Sequence, residues 1–142
     1  MKTIPQIQKF MTPMPHSVGL KIALSTAHTM MREHGIRHLP VQEAGKLVGV
    51  LTDRDIKLAG SFRGSGELLV EDVMTPEPYT VTPQAPVDHV VAEMARHKYG
   101  CVLIQQDNGK LVGIFTATDA LRVLEALLHQ NYRDSSGGVR LG

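Results

Sequence analysis

The hydrophobic positions in the first half of the chain change from a helical to an extended pattern. A first helix is predicted from apolar residues at helical spacing, namely Leu20, Ala23, Leu24, Ala27 and Met31. Apolar runs at 39–41 and 47–51 then flank Ala44-Gly45, a pattern that is typical of a β-hairpin. A short strand is predicted before the helix, at residues 16–18. The first half therefore reads as strand, helix, hairpin and helix.

The second half of the chain repeats this order. Its helical positions are Val87, Val90, Val91, Met94 and Ala95. Apolar runs at 101–104 and 111–115 flank Asn108-Gly109, a strong hairpin dipeptide. These apolar stripes are interpreted as core.

The repetition extends to the residues themselves. The segment FMTPMPHSV at 10–18 recurs as VMTPEPYTV at 73–81, and GKLVGVLTDRDI at 45–56 recurs as GKLVGIFTATDA at 109–120. The second copy carries one extra residue in its hairpin turn, where insertions are tolerated. We predict an α+β fold of two repeats, at 1–60 and 73–130. A linker at 61–72 and a flexible C-terminal tail at 131–142 complete the predicted organisation.

The motif with the clearest chemistry is Gly-x-x-Thr-x-x-Asp, which begins at Gly49 and again at Gly113. Each copy lies where a strand ends and a helix begins. Glycine there would let a ligand approach the backbone, and threonine would cap a helix whose free N–H groups favour phosphate. The aspartate, one turn into the helix, could accept hydrogen bonds from the two hydroxyls of a ribose.

A purely structural interpretation of the same motif stays open. Thr-x-x-Asp is close to a capping box, in which the two side chains only satisfy the first amides of a helix. Two copies in register, each with glycine three residues upstream, favour a nucleotide site over two caps.

Composition narrows the possible partners. The chain has 142 residues, a formal net charge of +1, 42% hydrophobic and 20% charged residues, and 4% aromatics with no tryptophan. This balance is typical of a soluble globular domain and argues against nucleic-acid or membrane binding. One cysteine excludes an intrachain disulfide, and no signal peptide or membrane-spanning run is recognised. We expect a cytoplasmic protein.

The sequence resembles paired cystathionine-β-synthase-type (CBS) domains, also called a Bateman module. The resemblance lies in the Met-Thr-Pro segments, the run at 35–41, the Gly-Lys-Leu-Val-Gly strands and the Leu-Thr-Asp-Arg-Asp motif. The resemblance covers residues 9–128. It implies two three-stranded sheets packed about a pseudo-twofold axis, with two ligand clefts between the repeats. Members of this family bind AMP, ADP, ATP, S-adenosylmethionine, NAD(H) or cyclic dinucleotides, and regulate attached or partner proteins.

The resemblance also implies a set of residues for each cleft. The first cleft would use Thr52, Arg54, Asp55, Arg37 and His38, with Thr75, Tyr79 and Tyr99 on the base side. The second would use Thr116, Thr118, Asp119, Gly100 and Cys101, with Thr12, His16 and Ile36 on the base side. Because the second cleft has Gly100-Cys101 where the first has Arg37-His38, the first is expected to bind phosphate more strongly.

Other residues that could carry metal binding or catalysis have simpler structural explanations. His34 and His38 have the spacing of some metal ligands, but Gly35 should end the helix between them, so no metal site is predicted. Asp53 and Asp55 point apart on a helix, and Cys101 lies in an apolar strand as an inert core thiol. No nucleophile, base and oxyanion donor come together. The chain is therefore not expected to be an enzyme or to hold a catalytic cofactor.

We expect a regulatory module that senses an adenine nucleotide or another adenosyl ligand and signals to an unidentified partner protein. The alternatives are a structural or dimerisation module without a physiological nucleotide and, with less support, a nucleotide hydrolase. The last helix carries a broad apolar face, and a homodimer is predicted from Ala120, Leu121, Leu124, Leu127 and Leu128.

Overall fold

A computed structural model describes residues 2–60 and 68–132. The first repeat contains a 3₁₀ turn (Ile7–Lys9), β1 (Thr12–Pro13), β2 (Val18–Gly19), α1 (Leu24–His34), β3 (His38–Glu43), β4 (Lys46–Thr52) and α2 (Asp53–Ala59). The second contains α3 (Val70–Val73), β5 (Thr75–Pro76), β6 (Thr80–Val81), α4 (Val87–His97), β7 (Cys101–Gln105), β8 (Leu111–Thr116) and α5 (Ala117–Tyr132). The fold is α+β, as predicted.

The predicted linker and tail are only partly described. Residues 61–67 and the tail beyond Tyr132 lie outside the described residues. The last part of the predicted linker at 61–72 contains the beginning of α3.

The two sheets have four strands each, with the orders β2-β3-β4-β5 and β1-β8-β7-β6. Strand β2 is parallel to β3, and β6 is parallel to β7, while the central hairpin of each sheet is antiparallel. The fourth strand comes from the other repeat: β1 pairs with β8, and β5 pairs with β4. The expectation of three-stranded sheets is therefore corrected, because each repeat lends a two-residue strand across the pseudo-twofold axis.

The segments that lead into the repeats also cross over. We call residues 5–13 the first arm and residues 68–76 the second arm. Ile7 of the first arm is fully buried among core residues of the second repeat, and Val70 of the second arm is fully buried in the first. Matching backbone bonds hold them, from the Ile7 N–H to the Ala85 carbonyl and from the Val70 N–H to the Ile22 carbonyl, 2.8 and 2.9 Å long. Each hydrophobic core is therefore completed by the opposite arm.

Two local features account for the sharp turns. Ala44 and Gly45 have φ of 50° and 78°, the left-handed pair that a two-residue hairpin turn requires. Gly35 ends α1 at φ 63°, so the predicted helix stop is confirmed. The N–H of Ile36 then donates to the Met31 carbonyl, which turns the chain towards β3.

The first helix and the strand before it begin later than predicted. Strand β2 shares only Val18 with the predicted strand at 16–18, and α1 begins after Ala23 rather than near Leu20. The reason is a contact with the second arm, because Ala23 forms a β-bridge with Leu69 and the Leu24 N–H donates to the Leu68 carbonyl. Leu20 still packs against the core, from outside the helix.

The sheets meet at the centre of the molecule. Val50 of β4, Leu103 of β7 and Ile114 of β8 form a buried cluster that joins the two repeats. This cluster brings the ends of β4 and β8, and with them both Gly-x-x-Thr-x-x-Asp motifs, towards the interface between the repeats.

Candidate ligand-binding site

Each hairpin leads directly into a helix through the repeated motif. The Asp55 N–H donates to Thr52 Oγ1 at 3.0 Å, and the Thr52 N–H donates to Asp55 Oδ2 at 3.1 Å. The second motif has the same reciprocal bonds between Asp119 and Thr116, at 3.2 and 2.9 Å. Both motifs therefore form capping boxes. Capping uses only one oxygen of each aspartate, so it does not exclude a ligand role for the other.

The motif glycines have a packing role. A Cβ at Gly49 would lie 2.6 Å from Met74 Sδ and 2.9 Å from the Thr75 carbonyl oxygen. At Gly113 the same position is taken by Met11 Sδ. The interpretation that these glycines make room for a ligand is corrected, because methionines of the opposite arms fill that space.

A cleft of about 690 Å³ opens between the repeats beside Asp119. Its volume falls in the range of small-molecule sites in proteins. Residues predicted for this cleft line it, namely Thr12, His16, Ile36, Gly100, Thr116, Thr118 and Asp119. Cys101, which was predicted with them, is not among the lining residues. It packs instead against the central cluster, and burial raises the pKa of its thiol to about 12.

The cleft also contains residues that the sequence placed elsewhere or missed. Arg37 and His38, predicted for the cleft at Asp55, line the cleft at Asp119. Arg122, which was not predicted, lines it too. Its position one helical turn after Asp119 was the signal that could have found it, because residues at i and i+3 share a helix face. The lining also includes residues that no sequence motif singled out, namely Met14, Pro15 and Ile114.

Asp119 is held firmly within this cleft. Its side chain is only 14% exposed, while that of Arg122 is 75% exposed, and Arg122 Nη1 lies 3.6 Å from Asp119 Oδ1. The Ala117 N–H donates to the Gly100 carbonyl at 2.9 Å, and the Asp119 N–H donates to Thr116. The amide of Thr118 between them has no acceptor among the described residues, so it is available to a ligand.

His38 lines the cleft close to Gly100. A Cβ at Gly100 would be 3.2 Å from His38 Nε2, so the imidazole lies close to the residue that precedes β7. Burial lowers the pKa of His38, and the neighbouring Arg37 lowers it further, while Asp119 and Asp55 oppose the shift. The influence of both aspartates means that His38 lies within electrostatic range of both motifs.

The residues predicted for the cleft at Asp55 are brought together in smaller groups. Tyr79 and Tyr99 stack with their ring centroids 5.1 Å apart, and the rings of His97 and Tyr99 also stack at 5.1 Å. Thr75 lies opposite Val50 in the β4–β5 pair, and the side chain of Arg54 is exposed on α2. The shared cleft of these residues stays a prediction.

His34 contacts another histidine rather than His38. The rings of His34 and His16 stack at 3.7 Å, and His38 lies separately on β3. Within residues 2–60 and 68–132, no group of three or more histidine, cysteine, aspartate or glutamate side chains could hold a metal ion.

The fold is that of a tandem α+β repeat with a cleft at the interface of its two halves. A family model described as the CBS domain matches residues 7–61 and 70–126, so the chain belongs to the CBS-domain family and carries two copies of the domain. The chain is 34% identical over 142 residues to inosine-5′-monophosphate dehydrogenase of Korarchaeum cryptofilum (strain OPF8). This alignment covers 99% of the chain but only 28% of that enzyme. The resemblance inferred from the motifs is confirmed.

Two solved structures have the same fold. One is the CBS domain pair of protein MJ0100 in complex with 5′-methylthioadenosine and S-adenosyl-L-methionine, with a TM-score of 0.78 and 29% identity, covering 88% of this chain and 99% of that one. The other is CBSX2 of Arabidopsis thaliana in complex with AMP, with a TM-score of 0.74 and 25% identity. The match covers 86% of this chain and 97% of CBSX2. The match to nearly the whole of each neighbour shows that the domain pair is the common unit.

Among the described residues, none of the helices has the length and apolar character needed to cross a membrane. The cytoplasmic location stays a prediction.

Proposed function

We propose that this chain is a regulatory module that binds an adenosyl ligand between its two CBS repeats and does not transform it. The observation that carries the proposal is Asp119, a largely buried carboxylate that lines a cleft between the repeats. Its Oδ2 caps α5, and its Oδ1 is the atom available to the vicinal hydroxyls of a ribose.

The surroundings of Asp119 suit the rest of such a ligand. Ile36, Ile114 and Met14 supply aliphatic surface on which a planar base can rest. The free amide of Thr118 at the start of α5 and the nearby arginines favour a negatively charged group. The adenosyl ligands of MJ0100 and CBSX2 support the same ligand class.

The origin of the lining residues supports a regulatory role. The first repeat contributes Thr12, His16 and residues 35–38, and the second contributes Gly100 and residues 116–119. A ligand in this cleft contacts both halves of the molecule, so its binding energy can shift the arrangement of one repeat relative to the other. That change would be the signal to a partner protein.

The test uses a variant that separates capping from ligand binding. In Asp119→Asn the amide oxygen can still accept the Thr116 N–H, but the NH₂ group that replaces Oδ1 cannot accept a ribose hydroxyl. Asp72→Asn is the matched control, because Asp72 Oδ2 accepts the Leu69 N–H at 2.9 Å at the start of α3, outside the lining of the cleft. Melting temperatures and calorimetric affinities would be measured with adenosine, AMP, ADP and ATP.

We expect the ligands to raise the melting temperature of the native chain by mass action. Asp119→Asn should lose about tenfold or more in affinity, since hydrogen bonds to a charged group are the stronger ones. Asp72→Asn should bind like the native chain. An absence of heat and of any melting shift at millimolar ligand would refute the proposal.

A second candidate function, homodimerisation, has an observation of its own. Helix α5 has no buried residue, and Leu121, Leu124, Leu128 and Tyr132 are 66, 50, 49 and 58% exposed along one stripe of it. A contiguous apolar stripe of this kind marks an interaction surface. Nucleotide binding and dimerisation are compatible, because this stripe is not part of the lining of the Asp119 cleft.

A further inference from the structure

We infer that the Asp119 cleft selects adenosyl ligands with a phosphate on the ribose 5′ position over ligands with a sulfonium or thioether there. The inference rests on the proposed function, because it names the ligand class of the same cleft. It is not settled by the structural neighbours, since one binds AMP and the other binds 5′-methylthioadenosine and S-adenosyl-L-methionine.

The charges of the cleft carry the argument. Its lining residues include two guanidinium groups, those of Arg37 and Arg122, against the single carboxylate of Asp119. Among the described residues, Arg37 forms no short ion pair with a carboxylate. Asp53 feels the charge of Arg37 but forms its short ion pair with Lys57, at 2.9 Å. Among the described residues, the Arg37 guanidinium therefore keeps its hydrogen-bond donors for an anionic ligand.

The one carboxylate of the cleft is already engaged. Asp119 Oδ2 accepts the Thr116 N–H, and Oδ1 has Arg122 at 3.6 Å and is the atom proposed for the ribose. Among the residues that the structure describes, no other carboxylate lines this cleft. A sulfonium next to the ribose would therefore lie in the same cleft as the Arg37 guanidinium without gaining a carboxylate of its own, and a thioether would offer the guanidinium groups no strong acceptor.

The position of the basic groups matches the position of the 5′ substituent. If Asp119 holds the 2′ and 3′ hydroxyls, the 5′ substituent projects from the other side of the ribose, several bonds away, within the same cleft that Arg37 and Arg122 line. Arg122 is one turn from Asp119 on the same face, and its high exposure leaves it free to move onto a phosphate. The Thr118 amide lies at the start of α5, and His38 lines the cleft as a further donor. A phosphate would gain bidentate partners that sulfur cannot use.

The experiment compares four ligands on the full chain by calorimetry: adenosine, AMP, 5′-methylthioadenosine and S-adenosylmethionine. AMP is expected to bind at least tenfold more tightly than 5′-methylthioadenosine, with the advantage shrinking as salt is added. Arg37→Gln and Arg122→Gln should each reduce the affinity for AMP severalfold and leave that for adenosine nearly unchanged. Arg32→Gln, an exposed arginine of α1 outside the lining of this cleft, is the matched control.

The outcomes separate this inference from the proposed function. If none of the four ligands binds, the proposed function fails. If 5′-methylthioadenosine or S-adenosylmethionine binds as tightly as AMP, the function stands and the inference is overturned. It is also overturned if the preference for AMP survives both arginine substitutions, or disappears only in Arg54→Gln, which would assign the phosphate to the other motif.

Discussion

Met74 packs directly on Gly49: its Sδ lies 2.6 Å from the position where a Cβ would stand. Gly49 belongs to the Gly-x-x-Thr-x-x-Asp motif of the first repeat, and Met74 belongs to the second arm. The backbone oxygen of Thr75, 2.9 Å from the same position, makes the site still tighter. The contact fastens β5 to β4, so the glycine of the motif serves the connection between the repeats.

Gly49→Ala is therefore expected to destabilise the protein. A methyl group there would collide with backbone as well as side chain, and overpacking of this kind costs about 1–3 kcal/mol. Chemical denaturation would measure the loss. Gly19→Ala is the control, because the nearest atoms to a Cβ there are 3.8 and 4.0 Å away. Equal stability of the two variants would contradict this account of the motif.

The stability of the protein should fall as the pH drops below about 6.5, the ordinary pKa of histidine. Burial and Arg37 lower the pKa of His38 in the folded state. Between its folded and unfolded pKa values the unfolded chain binds more protons, so acidification favours unfolding there. Once the pH is below the folded-state pKa of His38, further acidification causes no additional loss of stability through this histidine.

Denaturation midpoints at pH 8 and pH 5.5 would measure this effect. In His38→Gln the dependence on pH should be smaller, while His89→Gln, on the exposed surface of α4, should keep that of the native chain. A His38→Gln variant with an unchanged pH dependence would show that other groups cause it.

The apolar stripe of α5 predicts a homodimer. Burying a leucine stabilises by roughly 1.5–3 kcal/mol, so four half-exposed side chains are a substantial driving force for association. Light scattering should give about twice the 15.6 kDa mass of the chain. Leu124→Glu should give the monomer mass, and His129→Glu, outside the stripe on the same helix, should not. A native chain that scatters as a monomer would argue against this interface.

The sequence determined those features that depend on neighbouring residues. The turn at Ala44-Gly45, the helix stop at Gly35 and the caps at Thr52 and Thr116 were all predicted, because each is formed by groups a few residues apart. The duplicated motif likewise identified the family and singled out Asp119, which the structure places in a cleft.

Only the tertiary structure decided which repeat completes which sheet, core and cleft. Ile7 and Val70 occupy equivalent places in the two repeats, and so do Met11 and Met74, so each arm could pack on either core without altering the hydrophobic pattern. The position of Arg37 in the Asp119 cleft follows from the same long-range packing. Contacts between residues distant in the chain depend on how whole surfaces fit together, which the spacing of residues along one repeat does not encode.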